Sequence, residues 1–253
     1  MIGDFPTEDV EAFEWNRVSW DERVLAHWES EMYRRHADAL RAGGHGLDDS
    51  MISRVGELHG KSLIHLQCHM GMETLGWTRL GARAVGVDFS GRAIERAEHL
   101  RDELGLDTRF FEANVYDAPA VVGETFDVVF VSIGSICWLP DIARWARVVS
   151  AMLEPGGMLL MNDVHPMLST LDDAAGEPGF ALRYPYLDSP RMIFDDDGVC
   201  RHRKELRPPP DRSVGPPTRR HGDESGRGRP ADRIARGIRP MCLAGVEGHG
   251  GDI

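Results

Sequence analysis

Residues 65–74 read HLQCHMGMET, a loop with two histidines, a glutamine, a cysteine and one glycine between an apolar run and a helical pattern. A strand that passes into a helix through such a loop is a natural seat for a nucleotide-like ligand, because the first N–H groups of the helix are open there. A dinucleotide would need Gly-x-Gly-x-x-Gly, since its diphosphate lies against bare backbone. A Walker-type loop would need Gly-Lys-Ser/Thr. Neither spacing is present. A ligand with an adenosine but no phosphate relaxes that demand, and one close approach near Gly71 then suffices.

The elements around the loop follow from periodicity. Apolar runs at 62–66 (SLIHL), 82–88 (ARAVGVD), 108–114 (TRFFEAN), 126–132 (FDVVFVS) and 158–163 (MLLMND) read as strands. Helical patterns separate them at 73–81, 90–105 and 141–157; Ser90 and Asp141 are the caps expected for the last two, and Gly105 is the stop for the second. Residues 14–42 contain neither Pro nor Gly and carry a loose helical spacing that ends at Gly43-Gly44. Strands that alternate with helices predict an α/β fold: a Rossmann-like, doubly wound, mainly parallel sheet with helices on both faces. Right-handed crossovers bring the carboxyl ends of all strands to one edge. There Gln67–Gly71, Asp88, Asn114, Ser132–Gly134 and the segment 162–166 would meet.

Composition narrows the class. The net charge is −12, and residues 201–253 alone hold 12 Lys+Arg against 7 Asp+Glu, so the first 200 residues are strongly acidic. No basic stripe is available to displace counterions, which argues against nucleic acid as the main partner. No apolar run is long enough to span a membrane, and the acidic start lacks the order of a secretory signal. Four scattered cysteines without a Cys-x-x-Cys pair predict neither a disulfide framework nor a metal site. A reducing cytoplasm is the expected compartment.

KSLIHLQCHMGMETLGWTRLGARAVGVDFSGRAIERAEHL resembles the first two motifs of class I methyltransferases that use S-adenosylmethionine (SAM). More narrowly, it is similar to a bacterial subgroup whose usual Asp/Glu-x-Gly-x-Gly-x-Gly loop reads His-Leu-Gln-Cys-His-x-Gly. FEANVYDAP, the stretch FDVVFVSIGSICWLPDIARWARVVSAMLEPGGMLLMNDVHP and the earlier NRVSWDER extend the likeness over about 14–195. The resemblance implies SAM as the cofactor. It places the ribose hydroxyls on Asp88, with Phe89 beside it, and the adenine edge on Asn114 and Val115. The loop Gln67, Cys68, His69 and Gly71 would act mainly through its backbone, while Ser132, Ile133 and Gly134 would border the methionine moiety. His65 stands where the larger branch has an acid near the methionine end, which makes it a candidate cofactor contact, but a buried structural histidine is the preferred reading. Ser135, Cys137 and Trp138 are read either as site residues or as loop packing.

The reaction so implied moves an already activated methyl group, so no catalytic residue is obligatory. His165 is the best-placed candidate base for an oxygen or nitrogen nucleophile; termination of a strand before Pro166 is the competing account. An N-terminal segment, 1–60, would form a helical lid in which Trp20, Trp28 and Tyr33 either meet the substrate or fill the core. The absence of Asn/Asp-Pro-Pro-Tyr/Phe after the fourth strand favours a small-molecule acceptor. The expected function is transfer of a methyl group from SAM to such an acceptor by the domain at 61–199. The alternative is a non-catalytic adenosyl-binding module or an inactive remnant. An NAD-dependent oxidoreductase is disfavoured by the missing glycines.

Residues 200–253 differ in character. They contain seven of the 15 prolines and no Trp, Tyr or Phe, and RPPPDRSVGPPTRRHGDESGRGRP has no periodicity, so disorder is expected. Related methyltransferases place a helix and an antiparallel strand pair here, and the sequence shows neither. A natural tail and a shifted reading frame both remain open. The second is the reading taken, because an out-of-phase, GC-rich message yields Arg, Pro and Gly. The fifth strand would then be left as an exposed edge.

Overall fold

A computed structural model describes residues 2–172, 181–182, 186, 193–195 and 236–238. Three helices come first, α1 (Thr7–Glu29), α2 (Glu31–Arg41) and α3 (Asp49–Val55). The alternating part follows as β1 (Ser62–Leu66), α4 (Met72–Arg79), β2 (Arg83–Asp88), α5 (Gly91–Leu104), β3 (Arg109–Glu112), α6 (Ala118–Val122), β4 (Phe126–Val131), α7 (Ile142–Met152) and β5 (Leu153–Met161). The five strands form one sheet in the order β3-β2-β1-β4-β5, and every pair in it is parallel. This is the Rossmann-like arrangement predicted from the alternation. Strand order reverses between β1 and β4, and a crevice opens at such a switch point beyond the carboxyl ends.

The central strands are apolar on both faces because both faces are covered. Ile64, Leu66, Val129 and Val131 join a core cluster with Trp145, Val149 and Met152 of α7. Their neighbours Leu63, Val128 and Phe130 point the other way, toward Met51 and Val55 of α3 and Trp77 of α4. Each such fully buried side chain contributes about 1.5–3 kcal/mol. α1 joins two clusters, with Phe13 in the first and Val24 in a third that includes Leu40, Leu75 and Leu100. The N-terminal helix is thereby fixed to both sides of the crevice.

The single helix expected over 14–42 is two helices. Ser30 adopts an extended conformation and its hydroxyl donates to the His27 carbonyl at 2.7 Å, ending α1. A serine that bonds back to the main chain competes with helix propagation, a local effect that apolar spacing does not register. The short helix α3 was not evident from the pattern. Gly76 lies inside α4 where a Cβ would come within 2.2 Å of the His45 carbonyl oxygen, so it admits the chain leading into α3. The caps predicted at Ser90 and Asp141 are in place, accepting from Ala93 N–H at 3.1 Å and Arg144 N–H at 2.8 Å.

β5 begins directly after α7 and carries Glu154–Gly157 as an irregularity in its pairing with β4, rather than starting at Met158. It is an edge of the five-stranded sheet, and Leu159 and Met161 are exposed on it. Residues Ile193–Asp195 and Arg236–Ile238 pair antiparallel in a separate two-stranded sheet. That short strand lies inside the stretch expected to lack structure. The expectation of a shifted frame otherwise concerns positions outside the described residues.

Candidate functional site

A cavity of about 260 Å³ opens at the switch point. Its floor is the loop after β1, from Gln67 to Glu73. One side is Val87, Asp88 and Phe89 at the end of β2, with Ala113, Asn114 and Val115 after β3. The other side is Ser132–Ser135, Trp138 and Leu139 after β4, and the roof is Phe13, Asn16 and Trp20 of α1 with Met32, Tyr33 and His36 of α2. No lysine or arginine is among these residues.

The loop holds its shape at a cost. Gln67 has φ 59° and His69 φ 49°, in the left-handed region where side chains are unfavourable by roughly 1–2 kcal/mol each. Gly71, at φ 67°, caps α4; a Cβ there would fall 2.5 Å from the Phe110 ring and 2.9 Å from the Ala97 Cβ. Glycine is required at 71 by space as well as by conformation. At 67 and 69, by contrast, side chains occupy the glycine-like conformation and put it to use. Gln67 Nε2 donates to the Ser135 carbonyl at 2.9 Å, which ties the loop to the chain beyond β4. His69 places its ring among Trp20, His27 and Tyr33, with Nδ1 3.3 Å from the Tyr33 hydroxyl. Gln67 Oε1 and His69 Nε2 are buried without a protein partner.

Asp88 is the second anchor. Its Oδ2 accepts from His69 N–H at 2.8 Å and its Oδ1 from Ser90 N–H at 2.9 Å. Burial raises its pKa to about 6, against the pull of these two N–H groups. A carboxylate oxygen can accept more than one hydrogen bond, and Asp88 lines the cavity. Asn114 lines the cavity too, but its oxygen already accepts from Tyr116 N–H at 3.1 Å as the cap of a short helical turn. Its amide NH2 group is left for a ligand. Burial raises the Cys68 thiol well above its ordinary value, which makes it an inert lining group.

His65 is not in the lining. It is buried beneath the loop, sharing hydrogen bonds with Thr74 Oγ1 at 2.9 Å and Ser132 Oγ at 3.0 Å. Burial lowers its pKa to about 3, so it is neutral and structural. His165 does not line the cavity either; its Nδ1 accepts from Met167 N–H at 3.2 Å and its ring stacks on Tyr186. Trp20 and Tyr33 face the cavity, whereas Trp28 is covered by the guanidinium groups of Arg41 and Arg96. Among the described residues no cluster of His, Cys, Asp and Glu is placed to hold a metal, and no helix is long and apolar enough to cross a membrane.

Several contributors were not visible in the sequence. Asp21 of α1 accepts from Ser90 Oγ at 2.6 Å and from Arg92 N–H at 3.3 Å, fixing the roof to the start of α5 beside Asp88. Phe13 and His36 join the lining from segments that carried no motif, and Asn16 and Leu139 join it from quoted stretches in which neither residue was singled out. Glu73 lines the cavity as well. Its signal was an acid two residues after Gly71, inside the very loop that drew attention.

A Rossmann-like domain with a carboxylate-bearing, cation-free cleft at its switch point is the class that these features define. A family model described as a methyltransferase domain matches residues 64–159, the segment that builds β1 through most of β5. The match meets, at the level of the family, the resemblance drawn from the motifs. The chain is 28% identical over 127 residues to the ubiquinone biosynthesis O-methyltransferase of Brucella ovis, covering 50% of each chain. It is 29% identical over 125 residues to the enzyme of that name from Brucella anthropi, covering 49% of this chain and 50% of the relative. It thus spans about half the length of the curated relatives it matches. An S-adenosylmethionine-dependent methyltransferase structure from Mesorhizobium loti aligns at a TM-score of 0.46 and 21% identity, over 57% of this chain and 65% of that one.

Proposed function

We propose that this chain binds S-adenosylmethionine in the cleft and transfers its methyl group to a small-molecule acceptor. The observation that carries the reading is the junction of the loop after β1 with Asp88 at one rim of the switch point, through His69 N–H and Oδ2 at 2.8 Å. A vicinal diol fits the carboxylate oxygens of Asp88, and an adenine edge fits the Asn114 NH2 group. The cavity has no Lys or Arg for a phosphate, and SAM carries a net positive charge that suits a lining whose charged groups are acids. The matched family and the relatives named O-methyltransferases support the same reaction class.

Bound there, the cofactor supplies a methyl group already activated on a positive sulfur. The chain's own work is to position and to exclude water. Trp20 and Trp138 meet edge to face at 5.4 Å, closing the cavity between α1 and the loop after β4. Met32, Tyr33 and His36 give the roof a mixed apolar and polar surface, on the scale of a metabolite rather than a macromolecule. His165 hydrogen-bonds outside this cleft, so no proton transfer is assigned to it.

Calorimetric titration with SAM, S-adenosylhomocysteine and NAD is the direct test. Heat with the first two and none with NAD is expected; no heat with either adenosyl ligand ends the reading. Methyl transfer from labelled SAM into a metabolite extract, with Asp88→Ala as the control, then separates an enzyme from a non-catalytic binding module.

A further inference from the structure

Glu73 is the feature of the cleft that fold and packing leave unexplained. It is the second residue of α4, and its side chain is half-buried in the cavity wall. Burial holds its pKa above the ordinary carboxylate range, and the nearby Ser132 hydroxyl offsets only part of the rise; no cationic group contributes. A carboxylate withdrawn from water without a counter-charge is costly. A second acceptor in the lining lacks a hydrogen-bond partner altogether. Gln67 Oε1 is buried and unpartnered, while the NH2 of that side chain is held by the Ser135 carbonyl.

Both acceptors belong to the side of the cavity built by the ends of β1 and β4. Glu73 reaches Ser132, the first residue after β4, and Gln67 is the first after β1. Asp88 stands at the end of β2, on the far side of β1. Two strand spacings separate the β2 and β4 ends, roughly 10 Å. The cleft thus has an acid at each end, and the group that would satisfy Glu73 and Gln67 together must be positively charged and rich in N–H donors. A primary ammonium has three such donors.

We propose that Glu73 and Gln67 Oε1 form the seat for the α-ammonium group of the cofactor's amino-acid arm, opposite the diol seat at Asp88. This rests on the SAM reading given above and adds to it the residues that recognise the amino-acid end. His65 cannot serve there, being neutral and closed off by Thr74 and Ser132. The pairing also gives the strained φ of Gln67 a use, since that backbone sets the amide between Ser135 and the ligand.

The test is calorimetric titration of the full chain with S-adenosylhomocysteine and with its deamino analogue, which keeps the carboxylate and lacks only the amine. Glu73→Gln is expected to weaken S-adenosylhomocysteine tenfold or more and to leave the deamino analogue within about twofold of wild type. Unchanged affinity for S-adenosylhomocysteine in Glu73→Gln, or an equal loss for both ligands, overturns the proposal while the SAM reading stands. A wild-type chain that binds neither ligand overturns both. Retained binding of the deamino analogue also shows that the variant is folded.

Discussion

The backbone N–H of His69 donates to Asp88 Oδ2 at 2.8 Å, so the loop after β1 and the end of β2 are one unit. The bond makes Asp88 both a wall of the cleft and the brace that holds His69 at positive φ. Two adjacent strand ends thereby share a single carboxylate.

Asp88 makes binding and stability respond to pH in opposite senses. Its folded pKa of about 6 lies above the ordinary aspartate value of 3.8, so the folded state holds the proton more tightly than the unfolded one between those values. Stability in the absence of ligand therefore falls as pH rises from about 4 to 6, by up to ~3 kcal/mol for a shift of this size. Ligand affinity should rise over the upper part of that window, because an ionised Asp88 is the better acceptor for a diol. Urea unfolding and S-adenosylhomocysteine titration at pH 5 and 7.5 will check both signs. Asp88→Asn should flatten the stability profile.

Gly71→Ala should destabilise the chain by about 2–4 kcal/mol, from a left-handed backbone plus overpacking against Phe110 and Ala97. Chemical denaturation measures it. A loss below ~0.5 kcal/mol would show that the loop moves aside at little cost.

His69→Gly trades two effects of similar size. It relieves a strained backbone worth roughly 1–2 kcal/mol and removes the ring contacts with Trp20, His27 and Tyr33. Global stability should change by less than about 1.5 kcal/mol. Hydrogen exchange across residues 20–33 should speed up, since the tie between the loop and the two N-terminal helices is gone. Unaltered protection there would deny His69 that role.

His65→Ala should cost about 2–5 kcal/mol, leaving a cavity and two buried hydroxyls, Thr74 and Ser132, short of a partner. At a temperature where the variant remains folded, its affinity for S-adenosylhomocysteine should fall less than that of Asp88→Ala. A larger fall for His65→Ala would make it a ligand contact after all.

How legible was this site in the sequence? The five strand ends were readable because apolar runs alternate with capped helices, and Ser90, Gly105 and Asp141 do what their types predict. The helix break at Ser30 was hidden, since a side chain that bonds its own backbone leaves apolar spacing intact. Gln67 and His69 were visible as departures from a glycine pattern. That both retain the glycine conformation and send their side chains to Ser135 and Tyr33 was not. Glu73 was in plain sight but had no address, because helix-initial acids are common and only burial distinguishes this one.

The order of residues alone determined the alternation of strand and helix, and hence a parallel sheet with its polar strand ends on one edge, because periodicity and capping act within a few residues along the chain. What tertiary structure decided was which of those polar groups face the cleft. His65 went beneath it, His165 stayed outside, Glu73 was left in its wall without a counter-charge, and Gln67 Oε1 was left there without a partner. The reason is physical. Desolvation and orphaned acceptors arise from atoms brought together across strand ends and helices far apart in sequence, and no local pattern encodes which neighbour will be missing.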